Sequence, residues 1–277
     1  TNTTLAGSLT AAKISIKKNL NNNHIKLVHV EAGLRSFDRS MPEEINRVIS
    51  DQISDILFPP TNIAKKNLKD EKIKKKHVFV TGNTIVDVIK NNLNNLKNKK
   101  TLENLNLIKK EYFLITLHRP ETVDNFNRLT SILNLFNKLS NIYNLPLVWP
   151  VHPRTKKNLN KIKININKSI NLIKPLGYFD FLELQKNSKL ILTDSGGIQE
   201  EACILKVPCV TLRNSTERPE TVKIKSNIVS GYKEKKILEN INKMIKRKNS
   251  WGNPFGNGDA SSKIIKYLKN IIKKNKT

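Results

Sequence analysis

Short apolar runs that stop abruptly at turn residues alternate along this chain with stretches whose apolar positions recur three and four apart. Leu190-Ile191-Leu192-Thr193 reads as a buried parallel strand and breaks into Asp194-Ser195-Gly196-Gly197. A helical pattern then runs from Ile198 to about Lys206, and Pro208 to Leu212 reads as the next strand. The same alternation recurs upstream. Tyr112 to Leu117 is a strand delivering His118-Arg119-Pro120-Glu121, Leu129 to Ile142 is an amphipathic helix, and Leu147 to Val151 is a strand ending at His152-Pro153-Arg154. Ile170 to Ile173 leads to Pro175 and the aromatic segment Tyr178-Phe179-Asp180-Phe181.

In the first part of the chain, a helix over Thr1 to Asn19 precedes a strand over Ile25 to Val30, which runs into Glu31-Ala32-Gly33-Leu34-Arg35-Ser36. Met41-Pro42-Glu43-Glu44 opens a helix with proline at or near its first position. Ile56 to Phe58 is a strand closed by two prolines, and Val78 to Thr84 repeats the passage from strand through glycine turn to helix. Asn91 to Lys110 is polar and marks a domain boundary, while Trp251 to Asp259 is a turn-rich break before a final helix over Ala260 to Lys274. Alternating strands and helices predict an α/β chain with parallel sheets.

A length of 277 residues suits about two domains. The net charge of +27 and pI near 10.0 invite a nucleic-acid reading, but the lysines are dispersed and aromatics are only 6%, too few for a stacking surface. No specific nucleic-acid partner is expected. Arginine is more informative, because it is rare in this lysine-rich background and seven of its nine positions (35, 39, 47, 119, 154, 213 and 218) lie in or beside the motifs named here. A guanidinium grips carboxylate or phosphate in two places, which lysine does not copy.

Cys203 and Cys209 sit in apolar surroundings and read as buried thiols of a reducing compartment. No apolar run approaches the ~18 residues of a membrane span and no signal peptide is visible, so a cytoplasmic location without a membrane partner is expected. The first helix lacks the strand that an α/β helix normally follows, so the sequence reads as beginning inside something larger. The five histidines show no metal-ligand spacing.

Three loops carry candidate chemistry. Paired glycines between a strand and a helix allow positive φ, so that several N–H groups turn toward one point before the helix's positive end, a place for a phosphate. Glu200 and Glu201 then fall in the first turn, where a carboxylate either binds a ribose diol or merely complements the helix dipole. His118 stands at a strand terminus beside Arg and Pro, which favours a functional role. Glu31 follows an apolar strand directly. Glu43 satisfies ordinary capping chemistry, yet its nearness to Glu31 allows two carboxylates in one cleft to divide acid and base roles.

Taken in order, six of these segments resemble the non-hydrolysing UDP-N-acetylglucosamine 2-epimerases: His29–Ser36, Pro42–Arg47, Thr81–Thr84, Leu117–Glu121, Asp194–Glu201 and Glu217–Thr221. The resemblance implies two Rossmann-like domains in a glycosyltransferase-B-like fold whose first domain is truncated. The segments expected are 1–100 for the partial sugar-side domain, 111–258 for the UDP-binding domain, and 259–277 for a helix returning to the first.

It further implies that Glu31, Glu43 and His118 act in catalysis. Arg35, Arg119, His152, Phe181, Ser195, Gly196, Gly197, Glu201 and Arg218 are expected to bind substrate. The family's further catalytic aspartate would precede Thr1. UDP-GlcNAc and UDP are the expected ligands, in a homodimer that needs no cofactor and no metal. A hydrolysing 2-epimerase, a glycosyltransferase of the same architecture and a UDP-sugar-binding fragment without catalysis are the rival readings.

Overall fold

The computed structural model describes residues 2–19, 26–73, 77–162 and 164–274. Contacts divide the chain into two units, one of residues 1–91 and 253–277 and one of residues 92–252.

The first unit is built on a three-stranded parallel sheet of β1 (Val28–Val30), β2 (Ile56–Phe58) and β3 (His77–Val78), in the order β1-β2-β3. Ile25, where the first strand was expected to begin, lies outside the described residues. Leu57, Leu68, Ile73 and Ala32 cover one face of this sheet. The Ala260–Lys274 helix covers the other, with Ile264 against Ile56 and Phe58, and Tyr267 stacked on Phe79 at 4.1 Å between ring centroids. Asp87 caps that helix by accepting from the N–H groups of Ala260 and Ser261 at 3.2 and 2.9 Å. A helix over Pro42–Ile53 follows β1, with Pro42 in its first turn as the capping pattern required.

The second unit holds a six-stranded parallel sheet: β4 (Phe113–Thr116), β5 (Leu147–Pro150), β6 (Ile170–Ile173), β7 (Leu190–Thr193), β8 (Cys209–Thr211) and β9 (Asn227–Val229). Their spatial order is β6-β5-β4-β7-β8-β9. All pairs are parallel, and helices therefore cover both faces. The Phe126–Tyr143 and Glu234–Ile245 helices bury Phe136, Leu139, Ile237 and Ile241 on one side, where Phe136 meets Trp149 edge to face at 5.6 Å. Leu184, Ala202 and Val207 pack on Leu114 and Ile191 on the other.

Strand order reverses between β4 and β7, which run side by side with Thr116 opposite Thr193. A crevice at the carboxyl ends of such a pair is where open α/β sheets bind ligands. The polar stretch expected to mark the boundary begins where the two units divide, and it belongs to the second, against the Tyr178–Asn187 helix. The backbone N–H of Thr101 donates to Glu183 and its hydroxyl to Asp180, and Lys99 pairs with Asp180 at 2.8 Å.

Candidate active site

At the switch point of the second sheet, Asp194 joins the two central strands. Its fully buried carboxylate accepts from the backbone N–H groups of His118 and Arg119 at 3.0–3.2 Å and lies 3.3 Å from His118 Nδ1. The Thr116 and Thr193 hydroxyls meet at 2.6 Å, and the Ser195 N–H donates to Thr193 Oγ1. The His118 imidazole is thereby fixed at its base while its side chain stays 51% exposed. Around it lies a cavity of about 270 Å³ lined by His118, His152, Leu176, Phe181, Ser195 and Ile198 among others. Its floor of Phe181, Leu176 and Ile198 suits a flat base, and its polar rim suits a phosphate.

The glycines work differently from the expected nest. Neither Gly196 nor Gly197 has positive φ; they are the first two residues of a regular helix, Gly196–Ile204, whose N-cap Ser195 makes no side-chain cap. The anion-binding potential is that of an ordinary helix N-terminus, whose first N–H groups have no intrahelical acceptor. Gly196 differs from Gly197 in what surrounds it. A Cβ there would lie 2.2 Å from Glu217 Oε1, whereas at Gly197 it would meet nothing within 4 Å.

Because the helix starts two residues earlier than expected, Glu200 and Glu201 lie beyond its first turn, and complementing the dipole does not account for them. The two have separate partners. Glu200 pairs with Arg218 at 2.6 Å, both buried. Glu201 accepts from Gln185 Nε2 at 2.5 Å, and burial pushes its carboxyl above the usual range despite that hydrogen bond. Tyr178 is pushed up to about 12, first by burial and then by the charge of Glu201, which places the phenol within reach of that carboxylate's field. Glu217 forms a second buried cluster, 2.9 Å from Arg213 Nη1 and 3.4 Å from Arg119 Nη2.

In the first unit, Glu31 has φ +65°, a backbone conformation uncommon outside glycine. Its N–H and that of Ala32 both donate to the carbonyl of Phe58 on β2. Glu43 is half-buried in the first turn of the Pro42–Ile53 helix. Its neighbour Glu44 is the structural acid, accepting from the Ser36 N–H and hydroxyl and from the Phe37 N–H at 2.9–3.0 Å and pairing with Arg47.

Arg35, expected to bind substrate, is 2% exposed, with its guanidinium held by Asp51 at 2.7 Å and by Glu71 at 2.6 Å, an arrangement that supports the loop. Among the described residues, no group of three or more His, Cys, Asp or Glu is placed to hold a metal, and no helix is long and apolar enough to cross a membrane.

Residues 1–269 match the family of UDP-N-acetylglucosamine 2-epimerase. A protein of that name from Methanocaldococcus jannaschii is 50% identical over 97% of this chain, which spans 73% of that relative. Another from Methanococcus maripaludis is 49% identical, with the same two coverages. The crystal structure of the Methanocaldococcus jannaschii enzyme in complex with UDP-GlcNAc and UDP matches this fold with a TM-score of 0.89 at 49% identity, over 98% of this chain and 74% of that one. The chain belongs to the UDP-N-acetylglucosamine 2-epimerase family.

Its two parallel-sheet units are those of the glycosyltransferase-B-like fold that these epimerases share. Of the residues expected at the nucleotide, the epimerase fold gathers His118, His152, Phe181 and Ser195 around one cavity. Arg119 and Arg218 pair with Glu217 and Glu200. Sequence reasoning missed Asp194, Glu217, Gln185 and Asp51 as site residues. Asp194 was visible as an acid directly after an apolar strand, the same signal that singled out Glu31. Gln185 and Asp51 had no local signal, since each is a polar residue in a helix whose partner lies 16 or more positions away.

Proposed function

We propose that the intact protein interconverts UDP-GlcNAc and UDP-ManNAc without hydrolysis, by eliminating and re-adding UDP. The C2 hydrogen of the sugar is not acidic, so its removal is coupled to loss of the C1 substituent. A carboxylate takes the C2 proton, the C1–O bond breaks with its electron pair leaving on UDP, and a C1–C2 double bond forms. UDP oxygen then returns to C1 while a proton is delivered to the opposite face of C2, inverting that centre with no net redox change. Glu31 and Glu43 are the acid/base pair. Stabilisation of the departing diphosphate falls to the Gly196–Ile204 helix N-terminus and His118, while Glu201 receives the ribose hydroxyls.

The observation that carries this reading is the placement of Glu31 directly after β1, at the carboxyl end of a parallel strand, where open α/β sheets present the groups that meet a ligand. Similarity to relatives named UDP-N-acetylglucosamine 2-epimerase supports the choice of sugar. The intact protein is proposed to work as a cytoplasmic homodimer.

The test is incubation of the full-length protein with UDP-GlcNAc in heavy water. Formation of UDP-ManNAc with deuterium at C2 is the expected result. Release of free ManNAc and UDP would assign the hydrolysing reaction instead, and nucleotide binding without C2 exchange would leave only a binding protein.

A further inference from the structure

We propose that Asp51 is a positioning residue for the proton transfer, a buried carboxylate that binds the Glu31 loop to the helix carrying Glu43 and holds the two acids in register. This rests on the epimerase reading above. Asp51 is fully buried near the end of the Pro42–Ile53 helix, about two turns beyond Glu43, with Arg47 between them on roughly the same face. Its Oδ1 lies 2.6 Å from His29 Nδ1. Its Oδ2 accepts from the Gly33 N–H at 3.0 Å and lies 2.7 Å from Arg35 Nη2. The three partners bracket Glu31, two positions before it and two and four after.

The rest of the loop is tied down just as closely. Gly33 has φ +78°, and a Cβ there would stand 2.2 Å from the Ala64 carbonyl oxygen. Asn67 Nδ2 donates to the Gly33 carbonyl at 2.9 Å, and Arg35 gives Nε and Nη2 to the two oxygens of Glu71 at 2.6 and 2.7 Å. Two acids of the helix that carries Glu43 reach this loop: Glu44 holds its far end at Ser36 and Phe37, and Asp51 holds the part that flanks Glu31. Removing the Asp51 charge would leave the buried Arg35 with Glu71 as the one carboxylate described against it, beside the Leu34 carbonyl, and would loosen the Gly33 end of the loop. General acid/base work demands heavy-atom approach within hydrogen-bond reach, so a small displacement of Glu31 is felt in turnover before it is felt in binding.

The experiment compares Asp51→Asn with the wild type in the full-length protein, measuring kcat and KM for UDP-GlcNAc and, separately, UDP affinity. The expected result is a kcat lower by at least ~10-fold with KM and UDP affinity within about two-fold of wild type. In a Glu31→Gln background the same change should add less than about two-fold, because Asp51 acts through Glu31. The role is overturned if kcat stays within two-fold, if kcat and the number of UDP sites fall in proportion, or if the two substitutions multiply.

Should Asp51→Asn fail to fold, His29→Asn removes one tie at a position 19% exposed. Folded His29→Asn protein with lowered kcat and unchanged UDP affinity supports the proposal, and unchanged kcat counts against it. A wild-type protein that neither makes UDP-ManNAc nor exchanges C2 hydrogen would overturn the epimerase reading itself, whatever the variants do.

Discussion

The two units hold their chemical groups by opposite means. The second has six paired strands and an apolar core on both faces, and its site is set by sheet register: Thr116 lies opposite Thr193, and one carboxylate, Asp194, joins the two strand ends. The described part of the first unit has three short strands, and its loop is set by buried charge, with Asp51, Glu71 and Glu44 gripping Gly33, Arg35, Ser36 and Phe37. Where apolar packing is extensive, backbone pairing sets the strand ends and a buried carboxylate such as Asp194 only completes the arrangement. Where it is sparse, charge-assisted hydrogen bonds set the loop, at the risk that losing one partner strands a buried charge.

The largest effect that would sharpen this contrast is chemical. Glu31→Gln should lower kcat by ~10²- to 10⁴-fold while leaving UDP affinity within about two-fold, measured by coupled turnover and nucleotide titration. Equal loss of both would mean that Glu31 serves the nucleotide and that the division of labour is wrong.

In the second unit, Gly196→Ala should destabilise by ~1–3 kcal/mol in thermal melting and weaken UDP binding, because the new Cβ must displace the Glu217 carboxylate from its two arginines. Gly197→Ala is the control, and a change within ±0.5 kcal/mol is expected. If the two alanines behave alike, packing against Glu217 is not the reason for Gly196.

Glu201→Gln should weaken UDP by about 1 kcal/mol while leaving the unliganded protein as stable or slightly more so. The sign follows from its raised pKa. Between the ordinary glutamate value of 4.5 and the higher folded-state value, the native state binds more protons than the unfolded one, so Glu201 costs stability as pH rises through that window. The melting temperature difference between variant and wild type should therefore grow from acid toward neutral pH. A variant that melts lower at neutral pH would show that the carboxylate is a structural tie to Gln185 and not a group kept for a ligand.

The smallest effect is expected at the two cysteines, both in the second unit. Cys203 is pushed up to about 11, burial being the main cause, and Cys209 is raised further, so neither is a thiolate at neutral pH. Thiol reagents should leave UDP binding unchanged in the folded protein.

Much of this was written locally in the chain. The first eight strands, the proline that opens the Pro42–Ile53 helix and the chemical groups delivered at strand ends were legible because apolar periodicity and turn chemistry are properties of neighbouring residues, whereas β9 and the Glu234–Ile245 helix were not picked out. Glu31 stood out for the same reason.

What tertiary structure decided was partnership. Arginine at 35 and 218 looked alike as ligand-binding candidates, yet the first is gripped by Glu71, 36 positions away, and the second by Glu200 across a helix end. The adjacent glycines likewise looked equivalent, until the path of the loop bearing Glu217 crowded one and left the other open. A charged or missing side chain takes its meaning from what the sheet order brings beside it, and that order is set by the packing of the whole unit, beyond the reach of any local window.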